Sequence, residues 1–216
     1  MKTGVVGPLV RDFARTVGPV PFHCIADIVS HHLSFLLSFL IKMILGEDSS
    51  NVILFFMIYM PSPNYNDRPA GMAITSLIIH YTGMKSAEDA LQRLCDPHSQ
   101  VSAHYTIHEE GTVYQHVETR YRAWHAGLSK WKDLENFNDF SIGIELVNPG
   151  YEHGYRDFPN VQIESLLKLI RDLYSIYPIR PDLVLGHSDI APDRKRDPGH
   201  LFPWQRLIQE NLAIRP

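Results

Sequence analysis

Cysteine is scarce in this chain. Among 216 residues there are two, Cys24 and Cys95, and no CxxC pair. That excludes a disulfide framework and a cysteine-built structural zinc site. A basic excess is missing too. Twenty Lys and Arg stand against 24 Asp and Glu, a formal net charge of -4, and the cations are scattered apart from Arg194-Lys195-Arg196. A nucleic-acid surface wants a basic excess, so no nucleic-acid partner is expected. The HExxH helix signature of the common zinc proteases is absent. There is no internal repeat and no low-complexity tract. No apolar run reaches the roughly 18–20 residues of a membrane-spanning helix. The two longest runs, Leu33–Leu45 and Val52–Met60, are separated by the polar stretch Gly46–Asn51. Nor is a standard signal peptide evident: Lys2 leads into Gly and Pro, not an apolar core, and Cys24 follows Pro-Phe-His without a small residue before it.

What is present divides at about residue 60. Residues 1–60 read as an N-terminal extension and 61–216 as one domain, long enough to bury a core. Three readings compete for the extension: a poor membrane anchor, helices packed on the domain, or upstream sequence ahead of a start at Met60. The abrupt change of composition there favours the third. With that start the protein is expected in the cytoplasm; with a working apolar segment it would be tethered at the cell envelope.

From Pro61 onward the pattern is that of an α/β protein with a single mixed sheet flanked by helices. Pro61–Ala70 reads as a polar, proline-rich loop. Ser76–His80 is a buried strand. Ser86–Cys95 is a helix with Ser at its cap and acids in its first turn. Ala103–His108 and Thr112–Val117 flank Glu109-Glu110-Gly111 and predict a hairpin. Ser141–Val147 alternates and stops at Asn148-Pro149-Gly150. Val161–Tyr174 carries apolar residues at helical spacing. Leu183–Leu185 is a short strand, and a last helix begins near Pro203.

Histidine is abundant, at twelve. His80 ends one apolar strand and His187 follows another. Asp197 comes ten residues later in a turn-rich loop that can fold back. Two imidazoles and a carboxylate are a donor set for catalytic zinc, which leaves one position for water and makes that water acidic. Glu145 is the candidate to move the proton and Lys195 the candidate to steady an oxyanion. Plainer readings stand beside these. A strand-end His is often structural, Asp197 before Pro198 can cap a turn, Glu145 can face solvent, and Lys195 can belong to a solvated charge run.

Read together, the blocks IIHYTG (Ile78–Gly83), VSAHY (Val101–Tyr105), RAWHAG (Arg122–Gly127), SIGIELVNPG (Ser141–Gly150), GHSDIAPDRKRDPG (Gly186–Gly199) and FPW (Phe202–Trp204) resemble, in order, the type-2 amidases. These are zinc N-acetylmuramoyl-L-alanine amidases whose fold is shared with peptidoglycan recognition proteins. The resemblance is to the branch that trims anhydro-muramoyl peptides during cell-wall recycling and to its envelope relatives. The resemblance implies one zinc ion held by His80, His187 and Asp197, Glu145 as general base, Lys195 as transition-state stabiliser, and 61–216 as the catalytic domain. A muropeptide is the implied substrate. Trp124 and His125 offer an aromatic face and a ring donor to a muramoyl group, Arg194 a partner for a peptide carboxylate, and Tyr81 a pocket wall. Packing roles for Trp124 and a surface role for Arg194 remain open, and His104 is expected to make a structural hydrogen bond. Two rival functions stay in view: a non-cutting peptidoglycan binder, disfavoured by the complete donor set, and a zinc endopeptidase acting within the stem peptide.

Overall fold

The structure is a computed structural model that describes residues 57–214. Leu33–Leu45, Cys24, His23, His31 and His32 lie outside the described residues, as does Val52–Phe56 of the second apolar run. No helix among the described residues is long and apolar enough to cross a membrane.

In chain order the strands are β1 (Met57–Tyr59), β2 (Tyr65–Asp67), β3 (Ser76–Tyr81), β4 (Tyr105–Ile107), β5 (Val113–Gln115), β6 (Tyr121–Ala123), β7 (Lys130–Trp131), β8 (Leu134–Glu135), β9 (Ser141–Leu146) and β10 (Val184–Gly186). The helices are α1 (Ala87–Cys95), α2 (Gly150–His153), α3 (Asn160–Ile176), α4 (His187–Ile190) and α5 (Trp204–Gln209). Six strands form one sheet in the order β1-β5-β4-β9-β3-β10. Only the β4–β5 hairpin pairs antiparallel; the other four pairings are parallel. The single mixed sheet with flanking helices is the fold class expected from the sequence.

The central strands are the most apolar because both of their faces are covered. On one face Leu77, Ile79, Ile142, Ile144 and Leu146 pack with Leu166, Leu167, Ile170 and Leu173 of α3. On the other, Ile78 and Leu185 meet Phe137, Phe140 and Ile190. Strand alternation then decides what else shares that second face: Ser76 and His80 beside Ile78 on β3, and Ser141, Gly143 and Glu145 on β9.

The predicted helices and central strands form within a residue or two of their expected bounds. Ser86 caps α1, its side chain accepting from the Asp89 amide at 3.1 Å. Two differences stand out. The Pro61–Ala70 loop contains β2, which pairs antiparallel with β6. Its residues are all exposed, so it lacks the apolar alternation that marks a half-buried strand. In addition, Met57–Tyr59 pairs with β5, so the sheet takes in residues before the boundary read from composition.

Candidate functional site

The site forms at the carboxyl ends of β3, β9 and β10, the edge where open parallel sheets present side chains to a ligand. His80 and Glu145 are register partners on neighbouring strands and project from the same face. His187 opens α4 directly after β10. Asp197 arrives on the loop after α4, and two contacts hold it there. The Ser188 amide donates to the Asp197 carbonyl at 2.8 Å. The Tyr155 hydroxyl donates to the Pro198 carbonyl at 2.6 Å. Gly186 makes this approach possible, because a Cβ there would come within 2.6 Å of Pro198 Cδ. Gly186→Ala is therefore expected to wedge the loop away and cost about 1–3 kcal/mol of stability. Urea denaturation measures this, and an unchanged midpoint would contradict the packing described.

Three donor atoms converge. His80 Nδ1 lies 3.0 Å from His187 Nδ1 and 2.9 Å from Asp197 Oδ2, and His187 Nδ1 lies 3.0 Å from the same oxygen. All three side chains are buried. A tetrahedral ion with bonds of about 2.0–2.1 Å sets its donors roughly 3.3 Å apart, so the cluster is the right size to close on one. The other nitrogen of each ring has its own partner: His187 Nε2 faces the Ala126 carbonyl at 3.1 Å and His80 Nε2 faces His125 Nδ1 at 3.1 Å. A carbonyl can only accept, so His187 carries its proton on Nε2 and turns a bare Nδ1 lone pair to the cluster.

Electrostatics suit the same use. Burial, and then the neighbouring His187, hold the His80 imidazole down to about 4, which leaves it neutral at pH 7. Glu145 goes the other way. Burial and the charge of Asp197 push its pKa well up, opposed by Lys195. Its Oε2 atom is buried with no hydrogen-bond partner among the described residues. A buried, unpartnered carboxylate oxygen beside three converging donors is what a proton-transferring group looks like before its substrate arrives.

The other expected site residues are distributed around this centre. His80, Tyr81, Trp124, Glu145, Lys195 and Asp197 line one cleft of about 580 Å³. Tyr81 is also packed edge-on against Tyr151. Trp124 is half-buried and its Nε1–H donates to Asn66 Oδ1 at 2.7 Å. Arg194 lines the same cleft, and its Nη2 donates to the Ala126 carbonyl at 2.5 Å and to the Leu128 carbonyl, bracing that loop. His125 lines the same cleft, as expected, but is only 8% exposed, and both of its ring nitrogens have partners inside the protein. His104 is structural as expected, its Nδ1 accepting from the Gly143 amide at 3.0 Å. Sequence reasoning missed Asn138 and Ser141, which hold the segment carrying His125. The signal for Ser141 was present in the alternation of SIGIEL, which puts Ser141, Gly143 and Glu145 on one face; Asn138 had none.

Residues 70–200 match the N-acetylmuramoyl-L-alanine amidase family. The chain is 39% identical over 155 residues to N-acetylmuramoyl-L-alanine amidase AmiD of Escherichia coli K12, covering 66% of this chain and 55% of that protein. It is 39% identical over 165 residues to 1,6-anhydro-N-acetylmuramyl-L-alanine amidase AmpD of the same organism, covering 68% of this chain and 88% of that one. The solved E. coli AmiD, in complex with the substrate anhydro-N-acetylmuramic acid-L-Ala-D-gamma-Glu-L-Lys, superposes with a TM-score of 0.60 at 36% identity, over 71% of this chain and 68% of AmiD. On the match across residues 70–200 and the likeness to AmpD along most of its length, this chain belongs to the N-acetylmuramoyl-L-alanine amidase family.

Proposed function

We propose that this protein is a zinc enzyme that hydrolyses the amide between the lactyl group of N-acetylmuramic acid, in its 1,6-anhydro form, and the L-alanine of the stem peptide. The observation that carries the reading is the convergence of His80 Nδ1, His187 Nδ1 and Asp197 Oδ2 within 3.0 Å, beside the unpartnered Oε2 of Glu145. The relatives named for this amide bond, and for the anhydro sugar, support it.

Those three atoms would hold the zinc ion, which would supply Lewis acidity at the scissile carbonyl and acidify water near neutral pH. The residues of the chain do the rest. Glu145 Oε2 accepts the proton of the attacking water and passes it to the nitrogen of the departing alanine. Its raised pKa suits it to hold that proton between the two transfers. The Lys195 ammonium, lining the same cleft, balances the negative charge that builds on the carbonyl oxygen. Tyr81 and Trp124 give the cleft aromatic walls against which a sugar ring can lie.

Digestion of an anhydro-muramoyl tripeptide, followed by mass spectrometry, tests the assignment. The expected products are the free anhydro-sugar acid and a tripeptide with a new alanine amino terminus. A chelator is expected to lower the rate by at least about 100-fold, and added zinc to restore it. Cleavage inside the stem peptide, or a rate indifferent to the chelator, would overturn it.

A further inference from the structure

We propose that His125 is a positioning residue that sets the tautomer of His80, and that the pair His125-Ala126 together aims both histidine ligands at the metal. The inference rests on the zinc reading above.

The hydrogen-bond chain behind His80 has only one consistent direction. It ends on the Phe137 carbonyl, which can only accept. Ser141 Oγ lies 2.5 Å from that carbonyl and therefore donates to it. Its hydroxyl proton is then committed, so toward His125 Nε2, 3.2 Å away, Ser141 Oγ must accept. His125 consequently carries its proton on Nε2 and presents a bare Nδ1. That Nδ1 faces His80 Nε2 at 3.1 Å and accepts its proton. His80 is left with a lone pair on Nδ1, the atom that meets His187 and Asp197. A backbone carbonyl three hydrogen bonds away thus decides which nitrogen of His80 is free to ligate.

The next residue does the same for the other ring. The Ala126 carbonyl accepts from His187 Nε2 and leaves His187 Nδ1 bare. Both residues are pinned by one side chain: Asn138 Oδ1 accepts from the His125 amide at 3.1 Å and the Ala126 amide at 2.8 Å. Asn138 is itself buried, and its carbonyl takes a hydrogen bond from Arg68 Nη1 at 3.0 Å. The His125 ring lies directly over Gly143, where a Cβ would approach its Nδ1 to 2.6 Å. The sheet therefore keeps a gap in β9 of the shape of an imidazole, and the ring has no room to turn away. A histidine kept only to fill space would need neither the gap nor the ordered chain of donors.

Zinc binding, not activity, is the first readout, measured by competition with a chelator for the wild type, His125→Leu and His125→Asn. The amide oxygen of Asn sits where His Nδ1 does, so the asparagine variant retains an acceptor for His80 and leucine does not. His125→Leu is expected to bind zinc about 10–100-fold more weakly. His125→Asn is expected to recover most of that loss. In nitrogen-15 spectra of the zinc-loaded wild type, His125 is expected to carry its proton on Nε2. Leucine binding as tightly as wild type, asparagine no better than leucine, or a proton on His125 Nδ1 would each overturn the inference. Thermal unfolding identifies a variant that fails to fold. If the leucine variant does, Ser141→Ala replaces it: a mixture of His125 tautomers with weaker zinc binding supports the inference, and an unchanged spectrum overturns it. A wild-type protein that takes up no zinc would overturn the metal reading itself, whereas wild-type binding with an indifferent His125 overturns only the positioning role.

Discussion

Glu145→Gln is expected to keep zinc at full occupancy and to lose about 10²–10⁴-fold of turnover, the usual contribution of a positioned proton-transfer group. The substitution is close to isosteric and leaves His80, its neighbour across the β3–β9 register, in place. It removes a cleft carboxylate whose buried Oε2 has no hydrogen-bond partner among the described residues. Single-turnover rates on the anhydro-muramoyl tripeptide, alongside metal analysis, separate the two effects; a variant with wild-type turnover would end the assignment. The same substitution has a second signature. Burial and the Asp197 charge hold the folded pKa of Glu145 above its unfolded value. The folded state therefore binds this proton more tightly. The stability so contributed is complete below the ordinary carboxylate range and is lost as pH rises toward the folded pKa. Denaturation of zinc-free protein across pH is expected to show that loss in the wild type and a flatter profile in Glu145→Gln.

Asp197→Ala is expected to weaken zinc binding by more than the roughly 10–100-fold that follows loss of an outer partner, and to abolish activity with it. Asp197 is the only anion among the three donors. Without it a dication would meet two neutral imidazoles in a buried site, with no charge to offset its desolvation. The backbone of the loop keeps its anchor, since the Ser188 amide bonds the Asp197 carbonyl and not the side chain. The fold is therefore expected to survive. Chelator competition and circular dichroism check the two halves, and full zinc occupancy with full activity would show the site to be drawn wrongly.

Much of the frame that carries these groups was legible beforehand. The apolar run Ser76–His80, the alternation of SIGIEL and the capped helix after Ser86 each follow from local periodicity and cap chemistry, and each formed where expected. The β2–β6 ribbon was not legible. It is held by backbone pairing on an exposed surface, and its residues carry no pattern of burial. The donor cluster was visible as residue types at strand ends, and ordered blocks around it gave it a family. Nothing in those blocks showed that the His lining the cleft would also stand behind a ligand. His125 looks the same in RAWHAG either way.

The sequence by itself determined the central strands, the main helices, the family, and the residues His80, His187, Asp197, Glu145 and Lys195 as the ones to watch. The tertiary structure decided their directions. Which nitrogen of His80 faces the cluster depends on His125, 45 residues away, and through it on Ser141 and Phe137. What Arg194 holds depends on a loop 66 residues before it. The physical reason is the same in both cases. Local sequence sets backbone conformation and periodicity, while a ring or guanidinium takes its orientation from partners that only chain packing brings within hydrogen-bond reach.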